Sequence, residues 1–228
     1  MKIDGKDVYP KLHDKLKESG FDKKEPISKQ LYDIYGLYPA PGDRHVGEFF
    51  PYYMKEEVLM EQDYEWKNND FKVVDGWREE ARVLFDEVRT KKEGYEEFLK
   101  GSGETATYFI RSLATGDISD EMVNVINNGY IDNVSSGIIV ELPTYIDEFG
   151  LHPQKIGKLP DAIAAQCDRL GREYLLMVEA AATCNYELAR QAMFLDPLVS
   201  NCKYPELLLK DLIRANLDLL PEAWEKHC

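Results

Sequence analysis

The chain has 228 residues, 44 % of them hydrophobic, with a formal net charge of -14 at pH 7. That apolar content, with 14 Tyr and 9 Phe, supports a packed core and excludes a disordered chain. The acidic balance excludes a general nucleic-acid binder, which needs a basic face, and no apolar run approaches the roughly 20 residues of a membrane helix.

The N-terminus, MKIDGKDVYPKLHDKL, lacks the apolar stretch and small-residue cleavage site of a signal peptide, so a cytoplasmic setting is expected. Residues 6–19 read as a short helix, and residues 26–35 as another, with Pro26 near its start and Gly36 at its end. Residues 37–53 follow, rich in Pro, Gly and aromatics, and residues 54–75 read as irregular. Apolar residues Ala81, Leu84, Phe85, Val88, Tyr95 and Phe98 recur at helical spacing and predict a long surface helix over 77–99. Gly101 and Gly103 close it, and a second helix is expected from Glu104 to Leu113. Between 122 and 147 the pattern changes to β-branched residues punctuated by NNG and SSG, which predicts three short strands with hairpin turns.

After Pro160 the periodicity is helical again. Ile163, Cys167, Leu170, Tyr174, Met177, Val178 and Ala181 recur at three and four, which predicts one long buried helix over 161–183. The triplet Ala180 to Ala182 suggests close packing on a neighbouring helix. Two further amphipathic helices are expected at 186–195 and 205–218. The expected fold class is α+β: a small mixed or antiparallel sheet packed with several long helices, in a single domain spanning 1–228. None of Cys167, Cys184, Cys202 and Cys228 sits in a C-x-x-C pair, so a zinc knuckle is not expected. Cys167 and Cys184 read as small hydrophobes on buried helix faces. No residue of the chain is assigned to a metal or to a nucleotide cofactor. GSGE at 101–104 follows a helix rather than a strand and is no dinucleotide fingerprint.

The chemistry-bearing residues concentrate in GDRHVGEFF, residues 42–50. Asp43, Arg44, His45 and Glu48 lie within a turn's reach of one another beside an aromatic run that needs burial. Such surroundings shift pKa values and can make a carboxylate a usable base, although a surface turn entering a core segment would look the same. NVINNG, residues 124–129, is the second cluster. Asn124 and Asn128 suit sugar hydroxyls and suit a turn equally well. His13, His152 and His227 read as exposed or capping, and Glu141 and Asp147 as strand-edge carboxylates. Glu179 lies in an apolar helix and, if buried, needs a cation such as Arg172 or Arg190.

Five ordered segments carry a resemblance. GDRHVGEFFPYY (42–53), GSGE (101–104), NVINNGYIDNVSSGIIVELPTYIDEFGLHPQKIGKLP (124–160), VEAAATCNYELARQAMFLDPLVSN (178–201) and LLKDLIRANLDLLP (208–221) resemble, in order, the C-terminal domain of family 4 glycoside hydrolases, in the α-galactosidase and α-galacturonidase branch. The resemblance implies a small carbohydrate substrate and NAD and Mn2+ as cofactors. It implies a redox route: hydride removal at C3, proton abstraction at C2, then elimination from C1. In that route a divalent metal would polarise the C2 and C3 oxygens, unlike the usual two-carboxylate hydrolysis of glycosides.

Carried onto this sequence, the resemblance makes Asp43 the catalytic base. Arg44 and His45 become substrate contacts, with Asn124 and Asn128 on the site wall. A uronic-acid substrate would suit Arg44, because a guanidinium grips a carboxylate with two donors. The family's N-terminal Rossmann domain, with its glycine-rich loop and metal-binding Cys and His, has no counterpart in these residues. Met1 falls inside the family's ordinary sequence, as in a split-gene product, so a Rossmann partner and a homo-oligomer are expected. A non-catalytic assembly module is the alternative.

Overall fold

The computed structural model describes residues 2–3, 6–17, 25–53, 71–91, 96 and 105–227. They fall into two compact units. One comprises residues 1–66, 131–138 and 157–228, and the other 67–130 and 139–156.

In the first unit a two-residue antiparallel pair, β1 (Lys2–Ile3) with β2 (Lys6–Asp7), precedes α1 (Tyr9–Lys17). The helix expected from residue 6 begins three residues later because Lys6 and Asp7 pair with β1; Asp7 Oδ1 accepts from the Tyr9 N–H at 3.0 Å in the turn between strand and helix. Next comes α2 (Pro26–Tyr35), with Pro26 in the first turn and Gly36 left-handed at φ 72°, both as expected. A single helical turn, α3 (Asp43–Val46), runs into a 3-10 turn at Gly47–Phe49. Ile27, Leu31, Val46 and Tyr53 form a small core here, with Tyr35 and Phe50 against it.

The C-terminal helices belong to the same unit: α6 (Asp161–Thr183), α7 (Tyr186–Leu195) and α8 (Pro205–Ala215). Asn185 caps α7, accepting from the Glu187 and Leu188 N–H groups. Ala180 of α6, Ala189 and Met193 of α7, Leu209 and Ile213 of α8 and the following Trp224 make the larger core. The small pair Ala180 and Ala189 lets α6 and α7 approach closely, as the alanine triplet suggested. Gly171 serves a similar end. A Cβ there would lie 2.5 Å from Ile138 Cδ1 and 2.9 Å from its Cβ, so the stretch 131–138 packs against α6 only because residue 171 has no side chain.

The face of α6 departs from the sequence reading. Tyr174 and Val178 are 56 % and 65 % exposed. Met177 is exposed too, as are Cys167 and Ala181, while Ile163 and Leu170 are half-buried. The buried positions are Ala164, Glu173 and Ala180. Glu173 and Ala180 are seven residues apart and so share one phase of the helix. The helix therefore docks by a narrow strip of small and polar residues, and its apolar stripe faces outward. Cys184 is half-buried on the larger core, but Cys167 is exposed, not buried as expected.

In the second unit, α4 (Phe71–Lys91) starts six residues before the expected Trp77. It is a surface helix, with Trp77 and Phe85 exposed. Tyr95, Phe98, Gly101, Gly103 and the GSGE segment lie outside the described residues. After α5 (Ala106–Thr115) come three strands, β3 (Ser119–Ile126), β4 (Ile139–Asp147) and β5 (Gly150–Pro153), in one antiparallel sheet of order β3-β4-β5. Leu142, Thr144 and Ile146 alternate into the core of this unit, the period-2 pattern of a half-buried sheet. The α+β class matches the sequence reading, but of the three strands expected between 122 and 147 only β3 and β4 fall there: residues 127–138 form no strand, and the third strand, β5, lies beyond Asp147. The turns differ too: Asn127, Asn128 and Gly129 close no tight hairpin, since β3 and β4 are joined by the whole stretch 127–138. The short hairpin is Asp147↔Gly150, where Asp147 Oδ1 accepts from the Phe149 N–H at 2.8 Å.

Candidate functional site

Residues 42–50 sit on the first unit and are held from two sides. On one side, Asp43 and Glu25 cap each other's helices. The Asp43 carboxylate accepts from the Ile27 and Ser28 N–H groups, each at 2.7 Å, which satisfies two free donors at the start of α2. The Asp43 N–H donates to Glu25 Oε2 at 2.8 Å. Negative charge at a helix N-terminus is favourable in itself, and a carboxylate with about four lone-pair sites keeps accepting capacity beyond these two bonds.

The other anchor is Arg169 of α6. Its guanidinium donates to the Phe49 carbonyl at 2.9 Å, the Leu195 carbonyl at 2.7 Å and Gln166 Oε1 at 3.2 Å. One side chain thus ties the 3-10 turn at Gly47–Phe49 to α6 and to the end of α7. Tyr53, fully enclosed, donates its hydroxyl to Gln30 Oε1 at 2.7 Å. Around Arg169 lies a cavity of about 500 Å³, lined by Pro51, Met193, Phe194, Asp196 and Cys202 among others.

Next to Arg169 stands a carboxyl that the motif reading missed. Glu173 is 5 % exposed, and among the described residues its Oε2 has no hydrogen-bond partner. Burial, and then the nearby Asp196 charge, push its pKa up to about 7, with Arg169 pulling the other way. The neighbouring Tyr174 hydroxyl is raised as well, first by burial and then by Glu173, Asp196 and Glu48. Glu179, the carboxylate flagged as needing a partner if buried, is exposed. Helix phase carries the signal that was overlooked: Glu173 lies one heptad before the core residue Ala180, and Glu179 does not.

Of the named candidates, Asp43, Arg44 and His45 share α3. His45 is exposed, and the backbone of Arg44 is helical. Asn124 and Asn128 are exposed and belong to the second unit; Asn124 opposes Glu141 across the β3–β4 ladder. His152 pairs with Asp147 at 2.8 Å, and Asp147 is lowered by that contact first.

The neighbouring asparagines are the structural ones. Asn127 is completely buried. Asn133 donates to the Leu159 carbonyl at 2.8 Å and accepts from the Leu159 N–H at 2.9 Å, clasping 131–133 to 157–159. Farther along, Asp168 accepts from the Ser135 N–H at 2.7 Å and from Arg172 Nε at 2.6 Å. Hydrogen bonding to Ser135 and Arg172 lowers Asp168 to about 2.

Among the described residues no group of three or more His, Cys, Asp or Glu is placed to hold a metal ion, and none of their helices is long and apolar enough to cross a membrane.

One unit carries the long helices and a polar turn anchored from two sides, and the other carries the three-stranded antiparallel sheet, an α+β arrangement. The chain belongs to the family 4 glycosyl hydrolase C-terminal domain, whose family model matches residues 1–199. It is similar to an alpha-galactosidase of Bacillus subtilis (strain 168), 29 % identical over 97 % of this chain and 52 % of the relative. An alpha-galacturonidase of Thermoanaerobacterium saccharolyticum is 30 % identical over 96 % of this chain and 50 % of its own length. The crystal structure of a 6-phospho-beta glucosidase from Thermotoga maritima with manganese, NAD+ and glucose-6-phosphate shares the fold, with a TM-score of 0.70 and 23 % identity over 96 % of this chain and 51 % of that one. The chain spans about half the length of the curated relatives it matches.

Proposed function

We propose that this chain supplies the substrate-side part of a family 4 glycosidase that cleaves α-galactosides or α-galacturonides, and that an NAD-binding Rossmann part completes it. The carrying observation is the family match over 1–199 in a chain half the length of its relatives. In this reading residues 1–228 act as one substrate domain in the cytoplasm. The partner half supplies the ligands for NAD and Mn2+ that the described residues lack, and with them the redox-elimination route.

The contribution of this chain is positional and acid–base. Asp43 is the proposed base, on a turn fixed by α2 and by Arg169. Arg44 and His45 are the proposed contacts to sugar hydroxyls or a uronate carboxylate, with Asn124 and Asn128 as further sugar contacts. The test is hydrolysis of p-nitrophenyl α-galactoside and α-galacturonide with NAD+, Mn2+ and a reductant, with and without a separately expressed family 4 NAD-binding half. Turnover only with both halves is expected.

A second reading, a non-catalytic assembly module, is favoured by one observation. Both oxygens of Asp43 already accept backbone N–H groups, so capping alone accounts for an acid at that position. Folded halves that bind each other and turn over neither substrate would select it.

A further inference from the structure

We propose that Arg169 is the positioning residue of the turn carrying Asp43, Arg44 and His45, and that protonation of Glu173 decides whether Arg169 holds it. The inference rests on the proposed function only where it touches turnover. Its structural part stands on the contacts of Arg169 and Glu173.

Arg169 and Glu173 are four residues apart on α6, so their side chains meet on one face of the helix. Arg169 donates to three neutral oxygens: the Phe49 carbonyl, the Leu195 carbonyl and Gln166 Oε1. Phe49 ends the 3-10 turn that continues α3. Glu173 is buried, and among the described residues its Oε2 has no hydrogen-bond partner. A protonated carboxyl there is neutral and does not compete for the guanidinium. An ionised one, shut away from water, needs a cation.

The charged groups acting on Glu173 are Asp196, at the end of α7, and Arg169. The Tyr174 hydroxyl lies next along α6 and feels Glu48 of the 3-10 turn. Of these groups Arg169 alone is a cation. It also lines a cavity of about 500 Å³, which gives its fork room to swing. A guanidinium binds a carboxylate more strongly than a neutral carbonyl. Ionised Glu173 therefore draws Arg169 off the Phe49 carbonyl and releases the turn. Repulsion from Asp196 and the loss of the three bonds keep the proton on Glu173 until about pH 7.

Amide hydrogen exchange of the 228-residue chain, corrected for its intrinsic pH dependence, tests this. The reporters are the Val46 and Phe50 amides, which donate to the Gly42 and Gly47 carbonyls, with the amides of α8 as reference. In the wild type their protection relative to α8 should fall about ten-fold or more as pH passes through about 7. Glu173→Gln should stay protected throughout. Arg169→Lys, which keeps the charge without the planar fork, should be weakly protected throughout. The same fall in wild type and Glu173→Gln, a fall that survives in Arg169→Lys, or a turn and α8 that respond together would each overturn the proposal. In the completed two-part enzyme Glu173→Gln should flatten the alkaline fall in kcat/KM, and an unchanged fall would overturn the positioning role. Should that enzyme turn over neither sugar, exchange still decides whether Arg169 holds the turn, so the two failures are distinct.

Discussion

Glu173 gives the sharpest quantitative consequence of the structure. Its carboxyl is raised from an ordinary 4.5 to about 7 in the folded chain, so the native state holds a proton that the unfolded state releases. The stability that Glu173 contributes is therefore lost as pH rises from about 4.5 to about 7, and that contribution is constant on either side. The difference between those two values corresponds to at most about 3 kcal/mol. Glu173→Gln keeps the shape and stays neutral. The variant should match the wild type below pH 4.5 and exceed it above pH 7, by up to that amount. Urea unfolding followed by far-ultraviolet circular dichroism, run across this pH range on both proteins, gives the difference directly. A wild-type minus variant difference that is independent of pH would refute the reasoning. So would a variant less stable at pH 8, because the carboxylate would then be paired and ionised in the native state.

Asp43→Ala removes both acceptors at the start of α2 and should cost about 2 kcal/mol, a fall of roughly 4–8 °C in Tm, with Asp43→Asn losing about half as much. Calorimetry measures this, and an unchanged Tm would mean the caps carry no weight. Gly171→Ala should destabilise by about 1–3 kcal/mol through the clash with Ile138, although alanine is otherwise the better helix former by about 1 kcal/mol; a more stable variant in urea would show that Ile138 gives way freely. In the completed two-part enzyme, Arg44→Ala should lower kcat/KM for the galacturonide more than for the galactoside, by roughly ten-fold if a charge-assisted bidentate contact is lost. An unchanged preference between the two sugars would remove Arg44 from substrate recognition.

Local punctuation was the legible part of the sequence. Pro26 and Gly36 mark α2 to the residue, and the change from helical to β-branched pattern marks β3 and β4, because these signals act within a few residues of themselves. The bounds of α6 were equally plain. Its buried face was not, because an apolar stripe reports only that something covers it, and in this chain Tyr174 and Val178 are uncovered. Asn127 and Asn128 look like a hairpin turn in sequence, yet the connection runs on to Ile138, which fits beneath α6 only through Gly171, more than thirty positions away.

The site shows the same division. The cluster Asp43–Glu48 was visible as composition, and the resemblance named its residues. The capping exchange between Asp43 and the start of α2 was not visible, since it joins segments sixteen positions apart with no shared motif. Nor was Arg169, whose guanidinium meets the Phe49 carbonyl across 120 positions. Glu173 could have been found, because counting one heptad back from the alanine triplet places a carboxylate on the packed face.

The most direct test of the central claim is complementation by titration. A fixed amount of this chain is mixed with increasing amounts of a family 4 NAD-binding half, with NAD+ and Mn2+ present, and turnover of p-nitrophenyl α-galactoside and α-galacturonide is followed. The account predicts activity that is absent from either half alone, rises with added partner, levels off at equimolar amounts, and is lost on Asp43→Asn. Full activity from this chain alone would contradict it, as would a folded pair that binds and turns over neither sugar.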